Sequence, residues 1–333
     1  MSRANPITAS VPFDRDGVFH GHLSLPHSRE DSAWGLIRIP ISVFRNGEGP
    51  TALLTGGNHG DEYEGPIALQ ALARELDPGR LRGRVIVLPY MNYPAFRAGT
   101  RLSPLDGLNL NRSFPGDPAG PPTAKIADYV LRQLLPLADV VLDFHSGGRS
   151  LDFLPFAAAH LLEDAAQQAR CIAAMEAFGA PYAMVLREID ATGMFDTAVE
   201  AAGKIFVTTE LGGGGSATAR SVGIARRGVE NLLKHCGILE GEPEAGGTRR
   251  IDTTAPGCFH FAPCDGMLEM LVDLGAAVSE GEVIARIWPP DRSGTAAELV
   301  RATQTGLLAA RHFPGLIGGG DCLAVVAMEA GRA

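Results

Sequence analysis

From residue 50 onward the chain alternates between short, continuous apolar runs and longer runs with helical spacing. The segments 51–54, 84–89, 140–144 and 205–210 are apolar and too short for helices, which is the pattern of strands buried on both faces. Between and after them, apolar residues recur at helical spacing over 66–76, 123–135, about 161–178 and 217–236, with a shorter candidate at 197–202. Pro66 stands in a first helical turn, where a missing amide proton costs nothing. Strands alternating with helices predict an α/β fold, a mixed sheet flanked by helices. Upstream, 35–44 is β-rich, and Arg45-Asn46-Gly47 reads as a tight turn into the next strand. Those segments predict a leading hairpin, placed at a sheet edge because Pro40 cannot donate to a ladder.

The pattern changes after residue 239. Glu240-Gly-Glu-Pro-Glu-Ala-Gly-Gly-Thr-Arg249 has the composition of a linker. Beyond it, strands are expected at 268–272, 283–287, 309–313 and 323–328, with turn glycines at Gly266, Gly275, Gly281 and Gly306 and no helical pattern. A chain of 333 residues exceeds the size at which single cores stop growing. We therefore expect a catalytic-type domain over 1–239, a linker over 240–250 and a small all-β domain over 251–333. The phrases Asp265-Gly-Met-Leu-Glu-Met270, Gly275-Ala-Ala-Val-Ser-Glu-Gly281 and Gly306-Leu-Leu-Ala-Ala310 resemble a biotinyl/lipoyl-type sandwich. A carrier needs a modifiable lysine in its exposed turn, and no lysine follows Lys234. The module is read as structural, or as a lid.

Composition narrows the partners. Hydrophobic residues make up 45% and charged residues 20%, the profile of a globular chain with a large core. A formal net charge of −9 argues against a nucleic-acid surface, which would need a basic stripe, and leaves small molecules as the expected partners. Neither an apolar leader after Met1 nor a run of membrane-spanning length is evident, so a cytoplasmic location is expected, with no membrane partner; a homodimer is left open. The five cysteines are odd in number and scattered, and read as small buried hydrophobes.

The chemistry concentrates in Thr55-Gly-Gly-Asn-His59-Gly-Asp-Glu62-Tyr-Glu64-Gly65, between a strand and a helix. Residues three apart share a face of a helical turn, so His59 and Glu62 can converge on one metal ion. A zinc site open for catalysis takes three such ligands. His145 is the candidate third, at the end of the run Ala138-Asp-Val-Val-Leu-Asp-Phe-His145-Ser-Gly-Gly148. Alone, a histidine and a glutamate at this spacing arise often by chance. The context adds weight: His59, Glu62, His145 and Glu210 all follow carboxyl ends of expected strands, the edge where open α/β sheets bind ligands. The segment 90–122 is a long loop rich in Gly, Pro, Asn and Arg, and loops of that length are usually functional.

These residues resemble the succinylglutamate desuccinylase/aspartoacylase family of zinc-dependent deacylases, relatives of the zinc carboxypeptidases. The resemblance rests on Gly-Gly-x-His59-Gly-x-Glu62, Asn92-x-Pro94-Ala95, Arg101, Asp106-Gly-Leu-Asn-Leu-Asn111-Arg112-x-Phe114-Pro-Gly116, Asp143-Phe-His145-Ser and Glu210-Leu-Gly-Gly. It covers about 50–215 and extends to the β module. It implies a zinc carboxypeptidase-like sheet and one zinc ion per chain on His59, Glu62 and His145. It also implies Glu210 as the proton-transferring acid, Arg101 as oxyanion stabiliser, and Asn111 with Arg112 as a clamp for the substrate α-carboxylate.

The implied reaction is hydrolysis of an N-α-acyl amino acid, with N-α-acetyl-2,4-diaminobutyrate as the expected substrate and succinylglutamate or N-acetylaspartate as alternatives. A peptide-cleaving carboxypeptidase is disfavoured by the lid module, and a non-catalytic binding protein by the intact set of site residues. One departure stands out: no tyrosine follows Tyr182, so the late tyrosine used by zinc carboxypeptidases has no counterpart. A reader of a side-chain ammonium is sought among Glu188, Asp190 and Asp196. His160, His235, His260 and His312 lack a partner pattern and are expected in core or surface roles.

Overall fold

Strands that are apolar on both faces need cover on both sides, and the architecture supplies it. The computed structural model describes residues 4–187, 190–244 and 246–329. The chain begins with β1 (Thr8–Ala9), β2 (Gly17–Pro26) and β3 (Leu36–Asn46), then β4 (Thr51–Thr55), α1 (Glu64–Glu75), β5 (Gly83–Leu88), α2 (Tyr93–Ala98), α3 (Pro122–Tyr129) and β6 (Val140–Asp143). It continues through β7 (Leu151–Phe153), β8 (Phe156–His160), α4 (Ala165–Phe178), β9 (Tyr182–Leu186), α5 (Phe195–Ala201), β10 (Ile205–Glu210) and α6 (Ala219–His235). The fold is mixed α/β around one large mixed sheet, whose central order is β3-β5-β4-β6-β10-β8-β9.

The four middle strands, β5, β4, β6 and β10, are mutually parallel, while β3 and β8 flank them antiparallel. Side chains alternate between the faces as the pleat requires. Leu54, Val87, Leu142 and Val207 pack with Leu69 of α1, Phe178 of α4 and Leu232 of α6. Leu53, Ile86, Val141 and Phe206 pack on the other face with Ile126 of α3 and Phe195 of α5. From β4 the chain passes to β5 on one side and then returns to β6 on the other, so the strand order reverses at β4. A crevice opens at the carboxyl ends of the strands beside such a reversal.

Several local expectations change. β3 lies between β2 and β5 instead of at an edge, but its pairing with β5 covers only Ser42 to Asn46, and Pro40 sits outside that stretch. The segment 90–122 contains α2, a 3-10 turn at Leu110–Arg112 and the start of α3. α3 gives way to a π turn at Val130–Leu134 and a 3-10 turn at Leu135–Leu137, where Pro136 cannot continue the helical hydrogen bonding. α4 starts at Ala165, because the Asp164 carboxylate caps the amides of Ala166 and Gln167. β8 and β9 were not expected.

After α6 the remaining strands are β11 (Arg249–Asp252), β12 (Phe259–Phe261), β13 (Gly266–Met270), β14 (Ala277–Val278), β15 (Val283–Trp288), β16 (Glu298–Arg301), β17 (Gly306–His312), β18 (Leu316–Ile317) and β19 (Cys322–Glu329). β11 pairs with β9 and β19, and β17 pairs with β7, so the large sheet runs on into these strands. β13, β15, β16 and β18 form a second, antiparallel sheet, and Ile284, Leu308, Leu323 and Val326 belong to one core among these strands. Among the described residues no helix is long and apolar enough to cross a membrane.

Gly65, in the first turn of α1, packs where a Cβ would lie 2.2 Å from the Cβ of Phe144, the residue before His145. Gly65→Ala is therefore expected to cost roughly 1–3 kcal/mol, the usual size of an overpacking penalty. Denaturant unfolding measures it; an unchanged midpoint would mean that α1 shifts freely on the sheet.

Candidate active site

The turn between β4 and α1 is built to be approached closely. Gly56 donates to Leu88 O, and Met91 and Asn92 donate back to Gly56 O and Gly57 O. Gly57 has φ +62°, and a Cβ on Gly60 would stand 2.0 Å from the carbonyl carbon of Ala95 in α2. Only glycines let this turn lie against α2. His59 and Glu62 therefore converge from a tight turn and not from a helix, since α1 begins at Glu64.

The carboxylate of Glu62 is bracketed by two imidazoles. His59 Nδ1 lies 2.7 Å from Oε1, and His145 Nδ1, from the segment after β6, lies 3.1 Å from Oε2. The far side of each ring is held by an outer partner. His145 Nε2 faces Asp143 Oδ2 at 2.9 Å, and the buried Asp143 also accepts from Thr55 Oγ1 and Asn58 Nδ2. His59 Nε2 faces Asn109 Oδ1 at 3.2 Å, an oxygen that also takes the Asn111 amide. Outer acceptors place the proton of a neutral imidazole on Nε2 and leave the Nδ1 lone pair pointing inward.

Two such lone pairs and a carboxylate turned on one point repel unless positive charge lies among them. The three donor atoms lie within 4.8 Å of one another. Two imidazole nitrogens and a carboxylate oxygen are also the donor set of an open zinc site, so the residues present fit a divalent metal.

Without an ion, a proton held on His145 supplies part of that positive charge. Burial pushes the Glu62 carboxyl up, but the two imidazoles outweigh it and hold it well below the usual range. Burial lowers His59, and Glu62 only partly offsets that. Burial also acts to lower His145, yet Asp143 and Glu62 carry it well above an ordinary histidine. Arg101, half exposed, brings Nη1 to 3.3 Å from His59 Nδ1 and 3.6 Å from Glu62 Oε1.

Glu210 ends β10. Burial and the charge of Glu62 push its carboxyl up to about 8, against the pull of His145 and Arg101. Its Oε2 has no protein hydrogen-bond partner among the described residues. The glycines after it are structural necessities: Leu211 donates to His145 O, Gly147 donates to Gly212 O, and a Cβ on Gly213 would lie 2.0 Å from Leu151 O. The run thus laces Glu210 to the segment carrying His145.

A single cavity of about 190 Å³ brings together His59, Glu62, His145, Arg101, Asn111, Arg112 and Glu210. Asn111 Oδ1 accepts the Phe195 amide at 3.1 Å, and Arg112 Nη1 donates to the carbonyls of Asp190 and Thr192, so both residues also fasten the approach to α5. Of the three acids considered for a side-chain ammonium, Asp196 lines the cavity, Asp190 is exposed and paired with Arg112, and Glu188 lies outside the described residues. His160, expected in a core or surface role, is buried and lines the cavity, with Nδ1 2.7 Å from Glu200 Oε1. Sequence reasoning missed the orienting roles of Asn109, Asn58 and Asp143. Only Asp143 carried a signal, since residues two apart along a strand direction point the same way.

Comparison with known proteins is consistent with this geometry. Residues 48–236 match the succinylglutamate desuccinylase/aspartoacylase catalytic domain. The chain belongs to the succinylglutamate desuccinylase/aspartoacylase family. As a member it is an amidohydrolase. It is 54% identical over 329 residues, 98% of this chain and 96% of the relative, to an N-alpha-acetyl-L-2,4-diaminobutyric acid deacetylase of Halomonas elongata. Among solved structures, the product-bound ectoine utilization protein EutE of Ruegeria pomeroyi is 58% identical, with a TM-score of 0.96 over 98% of this chain and all of the other. A succinylglutamate desuccinylase from a Silicibacter species is 56% identical, with a TM-score of 0.97 and the same coverage.

In this family member the outer partners carry a testable load. Asp143→Asn keeps the shape of the buried network but removes the charge that fixes His145. Zinc affinity is expected to fall about 10- to 100-fold, the usual effect of losing such a partner, as measured by competition with a chromophoric chelator. Unchanged affinity would show that the ring is oriented by packing alone.

Proposed function

We propose that this chain hydrolyses N-α-acetyl-L-2,4-diaminobutyrate to acetate and 2,4-diaminobutyrate, a step of ectoine breakdown. The observation that carries the reading is the near full-length similarity to the Halomonas deacetylase, with the whole set of site residues gathered in one small cavity. At about 190 Å³ the cavity falls below the roughly 300–1,000 Å³ of pockets for drug-sized ligands, which suits an acylated amino acid better than a peptide.

His59, Glu62 and His145 would hold one zinc ion per chain, which supplies the charge that polarises the amide carbonyl and acidifies water. Glu210 Oε2 is the atom to take a proton from the attacking water and return it to the leaving nitrogen. Its carboxyl, pushed up to about 8 without a metal, is drawn back toward ionisation by a cation at the cluster, which puts it near the working range of a general base. Arg101, beside the cluster, stabilises the oxyanion of the tetrahedral intermediate. Asn111 and Arg112 receive the α-carboxylate, and the hydrogen bonds from Arg112 Nη1 to the 190–192 carbonyls orient its remaining donors.

The strands after Arg249 are read as a structural module on a biotinyl/lipoyl-type plan, the sheet before it as zinc carboxypeptidase-like, and the location as cytoplasmic. A second reading, removal of succinate from succinylglutamate, is favoured by the similarity to the Silicibacter succinylglutamate desuccinylase.

Acetate release from N-α-acetyl-L-2,4-diaminobutyrate by zinc-loaded protein, with succinylglutamate and N-acetylaspartate run in parallel, separates the two readings. Turnover of the diaminobutyrate derivative alone is expected; turnover of an acidic substrate alone would move the function to the sister activity. Glu210→Gln is expected to retain the metal and lose about 10²- to 10⁴-fold in kcat. Full activity in that variant would remove Glu210 from proton transfer.

A further inference from the structure

The cavity carries both charged and apolar lining residues. Besides the histidine-glutamate cluster, Arg101, Glu210, Asn111 and Arg112, the cavity is lined by His160 and by the apolar Phe156, Leu186 and Met194. Among the described residues lining it, Asp196 is the one carboxylate besides Glu62 and Glu210. It is 6% exposed.

We propose that Asp196 is the residue that reads the side-chain ammonium of the substrate. This rests on the diaminobutyrate reading given above. Asp196 directly follows Phe195, whose amide is held at 3.1 Å by Asn111 Oδ1, so the acid stands one residue from the group that receives the α-carboxylate. In a 2,4-diamino acid the α-carboxyl and the γ-ammonium hang a few bonds apart on the same α-carbon. A cationic clamp at Asn111 and Arg112 with an acid next to it therefore matches the charge order of the substrate.

The acid is held in place from its own helix, because the Thr197 amide and hydroxyl both donate to Asp196 Oδ1. The surroundings hold it as well. Phe195 stacks on Phe114 with centroids 4.8 Å apart, and Phe114 donates its amide to Gly193 O. Gly193 has φ +73°, and a Cβ there would lie 2.6 Å from Arg112 O. The segment that carries Asp196 and the one that carries Arg112 are thus packed backbone to backbone, so acid and clamp keep a fixed separation. That fixed spacing is what discrimination by chain length and charge requires. An acidic side chain, as in N-acetylaspartate or succinylglutamate, would place like charge against Asp196, whereas an apolar one would forgo the ion pair with it.

The test uses zinc-loaded full-length protein and two substrates that differ only in the ammonium: N-α-acetyl-L-2,4-diaminobutyrate and N-α-acetyl-L-2-aminobutyrate. Wild type is expected to prefer the first. Asp196→Asn is expected to lose on the order of 10- to 100-fold in kcat/KM on the charged substrate, mostly through KM, with little change on the uncharged one and unchanged zinc content; Asp196→Glu should recover part of the preference.

A variant that keeps the wild-type preference overturns the proposal, and so does an equal loss on both substrates, which would mark Asp196 as a support for α5. Because the ratio is taken within one preparation, partial unfolding cancels. If wild type releases acetate from neither substrate, the diaminobutyrate reading itself fails and this inference falls with it. Deacetylation by wild type with the ratio untouched in Asp196→Asn sinks the inference alone.

Discussion

A single buried carboxylate, Glu62, sits between the inward nitrogens of His59 and His145, and most of what surrounds it serves to hold that arrangement. Such a cluster is expensive to assemble: a buried carboxylate and two inward lone pairs have to be desolvated and fixed before any cation rewards them. The chain meets that cost with position. β4, β6 and β10 are parallel neighbours, so the residues that leave their carboxyl ends arrive at one place. Thr55, at the end of β4, and Asn58 both donate to Asp143 at the end of β6, which ties the two strand ends together through the acid that orients His145.

The same lacing explains why strands distant in sequence bear on Glu210. Gly214 donates to Leu151 O, and Leu151 begins β7, which pairs with β17. Phe313, just past β17, donates its amide to Ser150 O, and its ring lies where a Cβ on Gly214 would be, 2.5 Å from Cε2. Arg311 reaches Asp152 at 3.3 Å. The C-terminal strands therefore buttress the loop that follows Glu210, through backbone hydrogen bonds as well as these side chains.

The central strands were legible because they are buried on both faces, so their sequence is a continuous apolar run bounded by turn residues. β8 was not, since Phe156-Ala-Ala-Ala-His160 is as compatible with a helix as with a strand; only its place between β10 and β9 makes it extended. β11 begins inside a segment with linker composition, and its ladder to β9 crosses more than sixty residues that no local pattern records. The metal-type residues were readable because motif spacing is local, and the strand-end regularity placed Glu210 with them. Asn109, which faces His59 across fifty positions, and His160, which reaches the cavity from β8, act through contacts that only the folded chain creates.

That division bears on how specificity is built. In the proposed mechanism the cluster, Arg101 and Glu210 serve what every N-acyl amino acid shares, the amide, and His59, Glu62, His145 and Glu210 leave strand ends that cannot move without disturbing the sheet. In the proposed reading the side chain is met by Asp196, at the start of α5 and in the lining of the same cavity. Asp196 in its proposed role would make the cavity accept a cationic side chain, and like-charge repulsion at that point would exclude an acidic one. A change of substrate within such a scaffold requires reworking only this region, while the amide end is constrained by the hydrogen bonds that join β4, β6 and β10. The clamp residues cannot be reworked as freely as the acid, because Asn111 and Arg112 also hold the backbone that carries it.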